Sequence, residues 1–539
     1  MKRSGYAGIV LAASAVFTGC GREEAVQTVA DPTAPLDGGT AVVGLFSDLD
    51  GLNEFVSTDA VATEVMEYVL YLPLLRWSET YEIEGALARD WQFSEDRRTV
   101  TMQLRDDVRW HDGVPTTADD VVFSFDRFRD PALAYADIGS MRFLDSVEKV
   151  GPYEVRFRFS RAYANQLADL RRVILPKHLL DSIPSAEMES AEFNRKPVGN
   201  GPFRFVRWER DQQIVFEANP DFADGRPHLN RIIFRVIPDQ TAIETAFLSG
   251  EIDVVDRIRY ESVESLRRNP AVEVFTREQR GYQYIGWNTR SPFFGSAEER
   301  RAMTLAIDRQ RIIDALVFGQ GKVTAHPMMS LLPFYPNDVK PYPYDPDEAK
   351  RLLATAGWRD TDGDGVLDRN GVPFDFELVT NLGNQLREDT LVMVQSDLAK
   401  IGVVARPDVR EWSVFLDDIK GKRFDACHLA WQTDFIYDPY DLFHSDAIEG
   451  KYNMTSFSDS RVDSLIDAGT RAETVEEAAP IWHDLLAVLH EEQPYTILFE
   501  LLYSTGASRR IRHVDVDVRS FLVSVSDWWI APKDRKYDK

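Results

Sequence analysis

The sequence predicts a multi-domain protein of mixed strands and helices, α/β or α+β. Three observations predict it: 539 residues of which 44% are hydrophobic, apolar residues alternating at period two, and amphipathic segments at period 3.6 that begin on capping residues. The length exceeds what one hydrophobic core fills, and about one domain per ~150 residues gives roughly three structural units. The chain carries no internal repeat, which excludes a solenoid.

The first core strand is expected at Gly39-Thr40-Ala41-Val42-Val43-Gly44-Leu45, short and β-branched between glycines, so the globular part begins there. Val100, Met102 and Leu104 alternate with polar residues, as do Tyr153, Val155, Phe157 and Phe159, and both segments read as half-buried strands. Short polar turns such as 94–97 favour antiparallel pairing, because parallel strands need long crossovers. Thr117 can cap a helix with Asp120 at its third position and Val121, Val122, Phe125 and Phe128 on one face. A second helix is announced by Asp345 as cap, Pro346 at the first position and Glu348 placed to reach back as in a capping box. Its buried stripe would be Ala349, Leu352, Leu353 and Ala356, and Gly357 would end it.

Lys and Arg number 62 against 88 Asp and Glu, a formal charge of -26. So anionic a surface repels phosphate backbones, which argues against nucleic-acid binding. Residues 1–19 read as a signal peptide: basic Lys2 and Arg3, an apolar stretch from Ile9 to Phe17, then Thr18-Gly19 before Cys20. The apolar stretch is too short to span a bilayer and is followed by polar residues. Phe17-Thr18-Gly19-Cys20 resembles the bacterial lipobox, with Phe17 where Leu is usual, which makes Cys20 the expected lipidation site and residues 20–38 a lipidated tether. Cys427, the second of two cysteines, is then left unpaired as a small core residue.

Several blocks resemble the family 5 solute-binding proteins of bacterial ABC importers, the peptide, oligopeptide and nickel type. Glu84-Gly85-Ala86-Leu87-Ala88 through Trp91, then Leu104 to Gly113 and Thr117 to Val121, are similar to its signature. Val198 to Phe203, Asn219-Pro220-Asp221-Phe222, Val236 to Asp239 and Ser249-Gly250-Glu251-Ile252-Asp253 follow in family order, as do Arg300 to Met303 and Ala306 to Arg309. The resemblance implies a periplasmic-binding-protein-like α/β fold of type II, with two lobes, mixed sheets, an extra third domain and hinge closure around a ligand. On that pattern lobe I is discontinuous over 39–60, 197–275 and 495–539, the extra domain covers 61–196, and lobe II covers 276–494. It also implies a monomer, periplasmic or at the cell surface, held to a membrane by its lipid and serving an ABC permease with its ATPase subunits.

A site for linear peptides must bond main-chain groups and neutralise a charged amino terminus, a task that suits an Asp. In peptide-binding relatives that acid lies in a Trp-x-x-Asp motif, and Trp431-Gln432-Thr433-Asp434 matches it, which makes Asp434 the candidate amine anchor. Trp412 and Trp431 match family positions that face the cleft, and Asn288 is a further candidate for a ligand hydrogen bond. Dipeptide-binding members hold the ligand carboxylate with an Arg ahead of the helix corresponding to 391–399; Asn381 stands there and cannot form a bidentate charged pair. Arg387, six residues later, could substitute only by a different loop path.

Asp360, Asp362, Asp364 and Asp368 occupy the first, third, fifth and ninth places of a calcium loop, with Gly365 at the sixth. Gly371 stands at the twelfth, where a bidentate Glu would close the shell, so a solvated turn is the better reading and no metal is assigned. His111-Asp112-Gly113 lacks a nucleophile and reads as a structural turn. Gly199-Asn200-Gly201-Pro202 is no phosphate loop, and neither a zinc-protease nor a hydrolase motif occurs. The expectation is a peptide-capturing receptor without cofactors, with an oligosaccharide receptor of the same family as the alternative and an exported hydrolase as the remote one.

Overall fold

The computed structural model describes residues 35–450 and 452–536, so the signal peptide, Cys20 and most of the tether lie outside the described residues. The strand Thr40–Leu45 is buried along its whole length. It pairs in parallel with Arg231–Val236 and Val254–Val255, and a strand covered on both faces must be apolar at every position. It belongs to a 12-stranded mixed sheet, assembled from strands far apart in sequence.

That sheet has two halves joined by one long strand, Tyr495–Ser508. Its first residues pair with Gly281–Trp287 (Gly286 opposite Tyr495), and its last pair with Val272–Glu278 and Val254–Val255 (Val272 opposite Ser508, Val254 opposite Ala507). The half that contains Thr40–Leu45 continues through Arg231–Val236, Gln213–Ala218 and Phe203–Glu209. The half that contains Gly281–Trp287 continues through Ala426–Gln432, Asp375–Asn381 and Val404–Arg410. A separate antiparallel sheet holds Ala88–Phe93, Thr99–Leu104, Glu154–Phe159 and Leu144–Gly151. The antiparallel pairing expected of the segments around Val100 and Phe157 is observed, with those two residues directly opposite.

The helix Ala118–Phe128 carries the full capping box: Thr117 accepts from the helix start and Asp120 accepts from the Thr117 backbone N–H. At Pro346–Thr355 only half of the expected box forms. Asp345 accepts from the Glu348 N–H at 2.9 Å, but the Glu348 carboxylate turns outward to Arg351, one helical turn on. An i,i+3 pair with a cation is a known alternative for a Glu in the first turn.

Gly199 and Gly201 are explained by backbone packing. A Cβ on either would lie 2.0 to 2.8 Å from backbone atoms of Leu70 and Tyr71, and Gly201 donates its N–H to the Leu70 carbonyl at 2.9 Å. Between them Asn200 accepts the Leu72 N–H at 2.8 Å. His111 completes the clamp. Its backbone N–H donates to Gly199 O at 2.7 Å, its Nδ1 accepts the Gly199 N–H at 3.2 Å, and its Nε2 lies 3.1 Å from Gly201 O. With Nδ1 accepting, Nε2 must carry the proton, so the ring is neutral; burial pushes its pKa down from 6.5 to about 4.

An expected pH dependence follows. Above pH 6.5 the ring is neutral in both states; below it the unfolded chain takes up a proton that the folded chain refuses. Stability is therefore lost as pH falls from 6.5 towards about 4, at up to about 1.4 kcal/mol per pH unit from this group. Urea unfolding of His111→Gln across that window should show a shallower pH slope than the wild type; an identical slope would refute the assignment.

Candidate functional site

The strand Ala426–Gln432 carries Trp431 near its end, and the chain then runs through Thr433 and Asp434 into the turn before Phe435. Alternation along this strand puts Cys427, Leu429 and Trp431 on the face shared with Tyr282 and Tyr284 of the neighbouring strand, which pairs Tyr282 with Trp431. Tyr284 and Trp431 lie parallel, 4° apart in plane with centroids at 6.2 Å. Gly281, beside them, has φ +152°, and a Cβ on it would stand only 2.4 Å from the Trp431 carbonyl oxygen, so the two strands meet here through a residue that must be Gly.

Two hollows flank the segment after Asp434 and share part of their lining. The smaller, about 280 Å³, is lined by Tyr282, Met328, Met329, Leu332, Trp431 and Asp434 among others. The larger, about 1010 Å³, brings Trp77 to Ile83 and residues between Asp137 and Asp169 against Phe435, Tyr437, Asp438 and Trp482. Ile436, Tyr437, Asp438 and Asp441 line both. The large chamber is closed across by Arg142, which donates to Asp438 at 3.0 Å, and by Tyr81 stacked on Phe435 with centroids at 5.2 Å.

Asp434 is exposed into the smaller hollow. One carboxylate oxygen, Oδ1, accepts the Phe435 N–H at 2.7 Å and fixes the turn; Oδ2 makes no bond to a described residue. Burial disfavours the charge of Arg171, yet Glu67, paired with it at 2.8 Å, and Asp434 together hold its pKa above the usual guanidinium range. The hydroxyls of Tyr282, Thr433 and Tyr437, residues of the same walls, are buried without hydrogen-bond partners.

The other expected residues are placed differently. Asn288 is 5% exposed, with its amide donating to the carbonyls of Lys422 at 3.2 Å and Phe424 at 2.7 Å and its Oδ1 accepting from Arg290 N–H. It is a tie between loops, with no donor left for a ligand. Trp412, at the first turn of Trp412–Lys420, is 47% exposed and lines neither hollow. Asn381 is buried at the end of its strand and accepts from Arg387 Nη1 at 2.7 Å. The helix expected over 391–399 in fact spans Gln385–Ala399, and its cap is Asn384. Roughly one and a half extra turns bring Arg387 back over the strand end, to the amide of Asn381. Arg387 has no carboxylate partner among the described residues, and burial lowers its pKa.

In the acidic loop, Asp360, Asp362 and Asp364 gather their carboxylate oxygens within 4.8 Å. Each accepts backbone N–H groups of its own loop, and Asp368 turns to Thr361 instead, at 2.7 Å. Cys427 is fully buried, and burial pushes its thiol up to about 12. Sequence reasoning misses Tyr282, Tyr437, Met328 and Met329; the alternation of Tyr282 and Tyr284 is a legible signal, while the Met pair lies in a loop without periodicity.

The family model for bacterial extracellular solute-binding proteins, family 5, matches residues 82–453. The chain belongs to this family. Among family 5 relatives, the oligopeptide-binding protein AppA of Bacillus subtilis is 32% identical over 97% of this chain and 98% of its own. The heme-binding protein A of Haemophilus influenzae is 30% identical over 77% and 78%. The solved structure of Bacillus subtilis AppA in complex with a nonapeptide matches with a TM-score of 0.73, covering 92% of this chain and 100% of that one. HbpA2 from Haemophilus parasuis, at 24% identity, shares the fold with a TM-score of 0.80 over 90% of this chain. The mixed α/β architecture is thus that of the type II binding proteins of family 5, as the sequence motifs implied. Among the described residues no helix is long and apolar enough to cross a membrane.

Proposed function

We propose that this family 5 protein is the extracytoplasmic receptor of an ABC importer and captures peptides, oligopeptides in particular, in the two hollows. The observation that carries the reading is Asp434. One of its oxygens is fixed by the turn, and the other is free at the wall of an aromatic groove that shares lining residues with a chamber of about 1010 Å³. A charged amine entering the groove meets a pre-oriented carboxylate. The likeness to an oligopeptide-binding protein over nearly the whole chain supports the same ligand class.

The lobes follow the boundaries read from the sequence, and the two segments that run between the sheet halves, 272–287 and 495–508, serve as the hinge. The protein acts by binding without turnover, as a monomer tethered through a lipid on Cys20 after removal of residues 1–19, and delivers its ligand to a permease driven by separate ATPase subunits.

Native mass spectrometry of the ligand-stripped mature chain, offered pooled peptides and pooled oligosaccharides together, tests the ligand class. Peptides should be retained and sugars not. Retention of sugars alone would reassign the aromatic walls to stacking on sugar rings and end the peptide reading.

A further inference from the structure

Resting on the peptide reading, a second charged subsite can be located on the large chamber, at a place that Asp434 does not line. Arg142, Phe143 and Arg161 face Tyr440, Asp467, Thr470 and Arg471 across a pocket of about 280 Å³. The pocket shares Arg142, Phe143, Arg161 and Thr470 with the large chamber, and Asp434 does not line it. Phe143 carries two guanidinium groups over its ring, Arg142 at 4.6 Å and Arg161 at 4.1 Å. Packing on the ring fixes both planes, which readies them for a planar anion.

Their charges are not equally compensated. Arg142 is spent on Asp438 at 3.0 Å and Arg471 on Asp467 at 3.1 Å. Arg161 forms no ion pair with any described residue, and its Nε is buried without a hydrogen-bond partner. Burial, and then the neighbouring charges of Arg142 and Arg471, lower its pKa. A half-buried guanidinium without a direct ion pair, beside two like charges that Tyr163 and Asp438 offset only in part, gains from an anion that completes it.

We propose that this pocket is a carboxylate subsite in which Arg161 binds an anionic end of the peptide whose amine lies at Asp434. The carboxylate is either the peptide's C-terminus or an acidic side chain near it. Arg161 comes from the segment that packs across from Arg471, so the subsite is complete only while the two walls are together, and the ligand's charge helps hold them there.

The test uses the full chain, stripped of ligand, and four nonapeptide pools: C-terminal acid or amide, each with or without Asp and Glu in the last residues. Calorimetry on the wild type should favour pools that carry a carboxylate, roughly ten- to a hundredfold for a charge-assisted pair. Arg161→Gln should abolish that preference and Arg161→Lys retain part of it, with thermal unfolding of each variant checking the fold. Preference for acid over amide assigns the C-terminus; preference for acidic amides assigns a side chain. Wild-type affinities indifferent to all four pools, or a preference intact in Arg161→Gln, would overturn the subsite while leaving the peptide reading in place. Failure of every pool to bind the wild type would overturn both.

Discussion

Replacing Asp434 with Asn is expected to cut the affinity for peptides with a free amino terminus by roughly thirtyfold to several thousandfold, on the order of 2–5 kcal/mol. The carboxylate's Oδ2 has no partner among the described residues, so a bound ammonium would be its first, and the pair would be enclosed by Trp431, Tyr282 and Met328. Removing the negative charge leaves the bound ammonium without its ion-pair partner. Asn keeps the acceptor for the Phe435 N–H, so the turn should persist. The control is the same peptide N-acetylated. It should bind the wild type weakly and be indifferent to the substitution, because it brings no charge to neutralise. If titration calorimetry shows both peptides weakened equally, Asp434 shapes the turn and does not anchor an amine.

A comparable loss, in stability this time, is expected from Asp253→Ala. Asp253 is 1% exposed and its Oδ1 and Oδ2 accept Arg510 Nε at 3.0 Å and Nη2 at 2.5 Å, while Oδ2 also accepts the Val42 N–H at 2.9 Å. Arg510 in turn donates to the Thr40 carbonyl at 3.0 Å. The pair thus ties the first core strand to residues beyond the long central strand. Truncating the acid leaves a buried guanidinium and a buried N–H unsatisfied, which costs about 3–5 kcal/mol. Urea denaturation should register it as a lowered midpoint. The double variant Asp253→Leu with Arg510→Met should lose less than Asp253→Ala, since it leaves no charge unpaired. A single-variant loss below about 1 kcal/mol would contradict the geometry.

Asp253 also shows how a motif becomes legible. Ser249 to Asp253 can be matched to a family pattern in the sequence, but its purpose there is opaque. The partner, Arg510, is 257 residues away. The same holds for Gly199-Asn200-Gly201, whose reason is the Leu70 carbonyl pressed against it.

Among candidate ligand residues, the outcome follows the kind of signal. Trp431 and Asp434 belong to a motif whose residues are adjacent in the chain, and both line one hollow. Asn288 is suggested by its amide alone, and the amide is consumed by Lys422 and Phe424, more than a hundred residues on. Arg387 is out of reach if the helix starts at 391; the cap at Asn384 brings it to Asn381 instead. The closing pair Arg142 and Asp438 has no signal at all, being 296 residues apart with nothing periodic to connect them.

The sequence by itself determined the local elements: the buried strand from Thr40, the alternating strands around Val100 and Phe157, the capped helix from Thr117, and the family motifs in order. These follow from residue periodicity and from capping groups three residues apart, both of which act within a turn or a strand. Only the tertiary structure decided which strands share the long Tyr495–Ser508 strand, which arginines are compensated, and where a free carboxylate oxygen meets a chamber. Those are properties of pairs brought together across hundreds of residues, where Coulomb and packing energies depend on distance in space and nothing in the local chain records it.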